Sequence, residues 1–209
     1  MFARISLALA LLVAAGAAAW STGFGAQPPA PKAIALPKAA PLPAAATISD
    51  DRVAVSPAQL SQAYAAGAVK SDIKSLLKID RKLRYGDFVW NDEGVAQGPT
   101  WIRVDLQSQI ISIFRSGEEI GTAVILYGVA EKATPPGDFV VLAKMRDHRS
   151  SLYDAKMPFT LRLTHDGISI HGSDVRWGAA THGCVGVPLE FAEKLFDATR
   201  VGDPVLVVS

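Results

Sequence analysis

From Trp101 onward the apolar residues recur at every second position, and that period commits this part of the chain to strands. Trp101-Ile102-Arg103-Val104-Asp105-Leu106 alternates, residues 109–115 repeat the pattern, and Ser116-Gly117-Glu118-Glu119 supplies a turn before a third run over 120–127. Consecutive alternating runs joined by short turns make a β-meander. Residues 139–143, 160–163 and 168–171 read as further short strands, with Asp166-Gly167 as a hairpin turn between the last two. Residues 188–199 change to helical spacing through Phe191, Leu195 and Phe196, and 204–208 close the chain as an apolar strand. The expected fold is mainly β, a curved sandwich or partial barrel over 101–209 with one helix near its end.

Upstream of this domain the pattern is helical. Ser56-Pro57-Ala58-Gln59 has an N-cap serine, proline at the first helical position and a glutamine closing a capping box, and Gly67 ends the expected helix. Ser71 is read as the cap of a second short helix, with Ile73, Leu76 and Leu77 at helical spacing. Residues 51–100 are therefore expected to be a helical extension in front of the β domain.

The first 50 residues belong to neither pattern. Arg4 precedes an almost unbroken apolar run over 5–19, the charge-then-apolar layout of a secretory signal, and the run is shorter than the ~20 residues of a spanning helix. Residues 1–26 are read as a signal peptide, or as an uncleaved anchor that tethers the domain to a membrane. Residues 27–50 are a Pro/Ala-rich linker holding six of the 13 prolines before residue 47, a composition that stays extended. The expected location is outside the cytoplasm, in the periplasm or cell envelope. Of 21 basic and 20 acidic residues, three basic and no acidic ones precede residue 47, so the remainder nets −2. Nucleic acid is not an expected partner of such a surface.

Chemistry concentrates in residues 171–188, which hold the only cysteine, Cys184, and two of the four histidines, His171 and His182. A thiol becomes a useful nucleophile when a neighbouring histidine takes its proton, and either histidine qualifies on sequence. Gly183 lets the backbone turn sharply, so that amides beside Cys184 can face a developing oxyanion. An unpaired cysteine in an exported chain has no internal disulfide partner, which favours a reactive site over an inert buried thiol. His165, His171, His182 and Cys184 also make a list of zinc ligands, but structural zinc sites bring closely spaced pairs and only His182/Cys184 is such a pair. His165 and His148 read as loop histidines. Tyr153, Met157 and Phe159 are candidates for a substrate wall or for core.

These residues carry a family resemblance. His171-Gly172 followed by Thr181-His182-Gly183-Cys184-Val185 resembles the signature of the L,D-transpeptidase (YkuD-type) catalytic domain. Thr134-Pro135-Pro136-Gly137-Asp138-Phe139 resembles the family's Thr-Pro-x-Gly-x-Phe, and Met157-Pro158-Phe159 its Met-Pro-aromatic element. The resemblance implies the same β fold and an exported cysteine acyltransferase of cell wall biogenesis, acting on peptidoglycan stem peptides. Cys184 is then the nucleophile and His171 its base, with His182, Gly183 and Gly172 as oxyanion or structural support. The 3→3 cross-link would arise by acyl transfer to an amine, and water in place of the amine would make a carboxypeptidase; no metal or organic cofactor is implied. The sequence departs from the family pattern at Gly186, where Arg or Asn is usual, and in a shorter loop between His171 and Cys184. Arg176 is the expected replacement for the missing arginine, with Trp177 and Tyr153 as further substrate contacts. The departures also motivate a rival of another class, an envelope scaffold that keeps the fold without turnover.

Overall fold

The computed structural model describes residues 50–128, 132–150 and 154–209. The leader, nearly all of the linker and Tyr153 lie outside the described residues. Among the described residues no helix is long and apolar enough to cross a membrane.

The meander expected from Trp101 is present. β4 (Thr100–Asp105), β5 (Ile110–Arg115) and β6 (Glu118–Val124) pair antiparallel in sequence order. The closing strand β12 (Pro204–Val208) adds parallel to β4, and β7 (Gly137–Val140) adds antiparallel to β12. A smaller sheet has β8 (Ala143–Met145), β9 (Thr160–Arg162), β10 (Ser169–Ser173) and β11 (Val185–Pro188) in chain order, all antiparallel except the β10–β11 pair. β11 is a strand the sequence pattern did not suggest, because its four residues follow the glycine-rich loop with no turn signal of their own.

Helix α2 (Leu189–Ala198) follows directly, as expected after the cysteine. It buries Phe191, Ala192 and Leu195, and packs on β10 while touching β6. The main core thus joins Ile102, Val104, Ile111 and Ile113 of the large sheet to Leu161, Ile170, Val185 and Val187 of the small one, with Phe191 and Leu195 between them. Lys144 donates from Nζ to the carbonyls of Phe196 and Thr199 and satisfies the helix end.

The stretch ahead of the meander differs from the sequence reading. α1 (Pro57–Ala65) forms with its capping box intact, Gln59 N–H donating to Ser56 Oγ and Ser56 N–H to Gln59 Oε1. The second expected helix does not form. β2 (Ser75–Leu77) stands there, antiparallel to β1 (Arg52–Ala54) and bridged to β6, and β3 (Phe88–Trp90) pairs antiparallel with β6. Ile73, Ser75 and Leu77 are buried while Leu76 is exposed, a period of two. The short apolar run fitted both periods, and the open edge of β6 decided in favour of a strand. Val69 and Ile73 join Trp101 and Phe114 in a second, smaller core on the other face of the meander.

Candidate active site

β10 positions His171 by simple alternation. Ile170 points into the main core, so Ser169, His171 and Ser173 share the opposite face, and the parallel register sets His171 beside Gly186 of β11. Cys184 ends the loop just before β11. His171, Ser173, Cys184, Thr181 and His182 line one cavity of about 320 Å³, together with Met157, His148 and His165. His148 and His165, read from sequence as loop histidines, thus stand at the cavity, His165 being exposed at its rim.

The loop that carries the thiol is pinned from two sides. Thr134, buried at 3% exposure, accepts from the N–H of Gly128 at 2.8 Å and donates to the carbonyl of Gly183 at 3.0 Å. Leu126 exchanges two 2.8 Å backbone bonds with Gly186, and Thr181 N–H donates to Tyr127 O at 3.1 Å. A Cβ on Gly128 would overlap the Gly183 backbone, so the two segments approach this closely only with glycine at 128, while the φ of +98° favours glycine at 183. Gly128 escaped the sequence reading, since a single glycine between an apolar run and a loop carries no distinctive pattern.

The geometry also selects a tautomer. His171 Nδ1 lies 3.0 Å from the carbonyl of Gly172, an acceptor only, so Nδ1 carries the proton and Nε2 keeps its lone pair. Ser173 Oγ is a second partner of Nδ1 at 3.3 Å. Both groups that hold the ring therefore come from its own strand. Burial pushes the His171 pKa down, against the smaller upward pull of the Gly172 carbonyl, and His148 adds to the lowering. Burial pushes the Cys184 thiol up, opposed by the N–H of Ser169 and by Lys132. The thiol points to Gly167 O at 3.8 Å. Burial thus favours the neutral form of each group, the imidazole and the thiol alike.

Gly186, the departure from the family pattern, has a steric reason. A Cβ there would stand 2.8 Å from Ser173 Oγ and 3.0 Å from Ser173 Cβ. Ser173, which touches His171, occupies the space a larger residue at 186 would need. Arg176 and Trp177 stand apart from the cavity lining: Arg176 faces Asp174 at 3.5 Å, and Trp177 is 83% exposed with its ring edge-on to Tyr85. Arg162, which the sequence reading did not single out, does line the cavity. Among the described residues no three His, Cys, Asp or Glu side chains gather as a metal-binding group.

Comparison with known proteins bears on this arrangement. A family model described as the L,D-transpeptidase catalytic domain matches residues 99–207. L,D-transpeptidase 1 of Mycobacterium tuberculosis is 28% identical over 134 residues, covering 56% of this chain and 53% of that protein. The chain spans about half the length of the curated relatives it matches. An L,D-transpeptidase structure from Mycobacterium smegmatis superposes with a TM-score of 0.50 at 21% identity, covering 53% of this chain and 58% of that one, and so shares the fold. A Stackebrandtia nassauensis L,D-transpeptidase structure gives 0.49 at 26% identity over 55% of this chain and 57% of that one.

Proposed function

Because the chain belongs to the L,D-transpeptidase catalytic-domain family, we propose that it is an exported cysteine acyltransferase of cell wall biogenesis acting on peptidoglycan stem peptides. The observation that carries this reading is the cavity shared by His171 and Cys184, with His171 Nδ1 bound to Gly172 O so that Nε2 is the basic nitrogen.

His171 Nε2 takes the thiol proton as Cys184 Sγ attacks the carbonyl carbon of the amide before the terminal D-alanine. A C–S bond forms and the carbonyl oxygen becomes an oxyanion, met by amides of the pinned loop around Gly183. The imidazolium is stabilised at Nδ1–H by the Gly172 carbonyl. It returns its proton to the amide nitrogen, the C–N bond breaks, and D-alanine leaves. The thioester then passes its acyl group to an acceptor amine, whose proton goes to His171, and the C–S bond breaks to restore the thiol. Water in place of the amine gives an L,D-carboxypeptidase. His182, exposed at the cavity edge, shapes the loop.

The scaffold alternative drew on Gly186 and on the short loop between His171 and Cys184; the fit of Ser173 into the space beside Gly186 gives the first of these a steric origin. Arg4 with the apolar run over 5–19 supports export, by a removed signal or a retained anchor, and residues 27–50 suit a spacer. Incubating the purified chain with disaccharide-tetrapeptides and reading products by mass tests the reading. Dimers lacking one D-alanine are expected; monomers lacking D-alanine would indicate hydrolysis, and unchanged substrate would contradict acyl transfer altogether.

A further inference from the structure

Four arginines among the described residues are withdrawn from solvent: Arg52, Arg103, Arg115 and Arg162. Three are partnered. Arg52 donates to the Glu119 and Asn91 carbonyls, Arg103 to Asp105 and Ala68 O, and Arg115 to Asp92. The guanidinium of Arg162 makes no hydrogen bond or ion pair among the described residues, its backbone being held in the sheet. A half-buried guanidinium without a partner is costly, and it is retained where a partner arrives from outside.

Its placement points to that partner. The register sets Arg162 across from Ser169, two residues before His171 on the same face of the sheet, while Leu161 and Ile170 fill the core on the other. Strand spacing then separates the Arg162 and His171 backbones by roughly 8 Å, within reach of one extended arginine. Lys132 and Lys156 add positive charge to the lining. Asp166 is its one carboxylate among the described residues; it accepts from the Thr164 hydroxyl and its pKa is lowered chiefly by that bond.

Resting on the function proposed above, we propose that Arg162 is a specificity-determining residue that pairs a free carboxylate of the acyl donor beside the scissile amide, so that the cavity takes anionic donors and discriminates against amidated ones. Two carboxylates of a stem peptide fit this chemistry, that of the departing D-alanine and that of an acidic group near the third residue. The planar fork of the guanidinium binds either in two-point fashion.

Two measurements test this. The first uses only the thiol: rates of Cys184 alkylation by anionic iodoacetate and neutral iodoacetamide at pH 8, as a ratio normalised to that of N-acetylcysteine. The parent chain should favour iodoacetate about tenfold over the free thiol, by the usual worth of a charge-assisted pair. Arg162→Gln should lose most of that preference while iodoacetamide alkylation stays unchanged, which also reports that the variant is folded; Arg162→Lys should keep most of it. An unchanged ratio in Arg162→Gln, or a loss with Arg176→Gln instead, overturns the assignment. The second compares kcat/KM for a tetrapeptide donor, its D-alaninamide form and a form amidated near the third residue. Arg162→Gln should lower kcat/KM about tenfold on the free donor and leave it nearly unchanged on whichever amide has lost the paired group. Equal losses on all three donors overturn the proposal. If no donor is turned over but the alkylation ratio still depends on Arg162, the anion subsite stands and the acyltransfer reading fails.

Discussion

Two strand faces in this molecule follow the same alternation and are built in opposite ways. On the face of the large sheet turned from the main core, Trp101 and Phe114 stand opposite each other on β4 and β5, with rings stacked at 4.4 Å, and α1 and the 69–73 stretch close over them. On the cavity face of the small sheet the equivalent positions are Arg162, Ser169, His171, Ser173 and Gly186. The first face removes apolar area from water and stabilises the fold. The second keeps polar groups half-shielded, where burial moves the His171 pKa down and the Cys184 thiol up. Alternation decides which face a side chain takes, and residue choice alone makes one face structural and the other chemical.

Substitutions can separate the two. Trp101→Ala should cost about 3–5 kcal/mol, lowering Tm by roughly 10 °C, while the folded fraction keeps its pH profile. Calorimetry together with a pH–rate series checks both halves. Trp101→Phe should cost far less, because the buried Nε1–H has no partner to lose.

On the chemical face, Gly186→Asn puts a side chain where Ser173 stands and should lower kcat/KM about tenfold or more with a smaller change in Tm. Adding Ser173→Gly should recover part of the loss. Failure of the double variant to exceed the single one would break the steric account of Gly186. Ser173→Ala alone removes the weaker of two partners of His171 Nδ1 and should cost about two- to fivefold in kcat, since the Gly172 carbonyl still holds the ring.

The pH dependence is the smallest and most specific contrast. A His171 pKa below the ordinary value keeps the imidazole unprotonated further into acid, so the acid limb of kcat/KM should fall below the usual histidine range. A thiol pKa above the ordinary value means alkylation by iodoacetamide should rise through a midpoint above that of a free thiol. A stored thiolate–imidazolium pair would reverse both orders and give alkylation already fast at neutral pH.

Much of this was legible in the chain. The meander, the helix at 189–198, the closing strand and the capping box at Ser56 carried their own local signals, and each is present. The lone cysteine beside His182 and Gly183 marked a loop that lines the cavity. What local pattern did not reveal was decided by pairing between distant segments. β2 is a strand because β6 offered an edge, Gly128 matters because Gly183 lies against it, and Gly186 is explained only by Ser173 on the neighbouring strand. The sequence drew attention to Arg176 and not to Arg162, yet strand register sets Arg162 in the cavity lining while Arg176 faces Asp174.

The most direct measurement of the central claim is the intact mass of the chain after mixing with a tetrapeptide donor and no acceptor amine. The parent should gain the mass of the donor less D-alanine on the peptide containing Cys184, and Cys184→Ala, with Tm nearly unchanged, should gain nothing. A parent chain that releases D-alanine with no adduct under rapid quench, or an alanine variant that still turns over donor, would contradict covalent catalysis by this thiol.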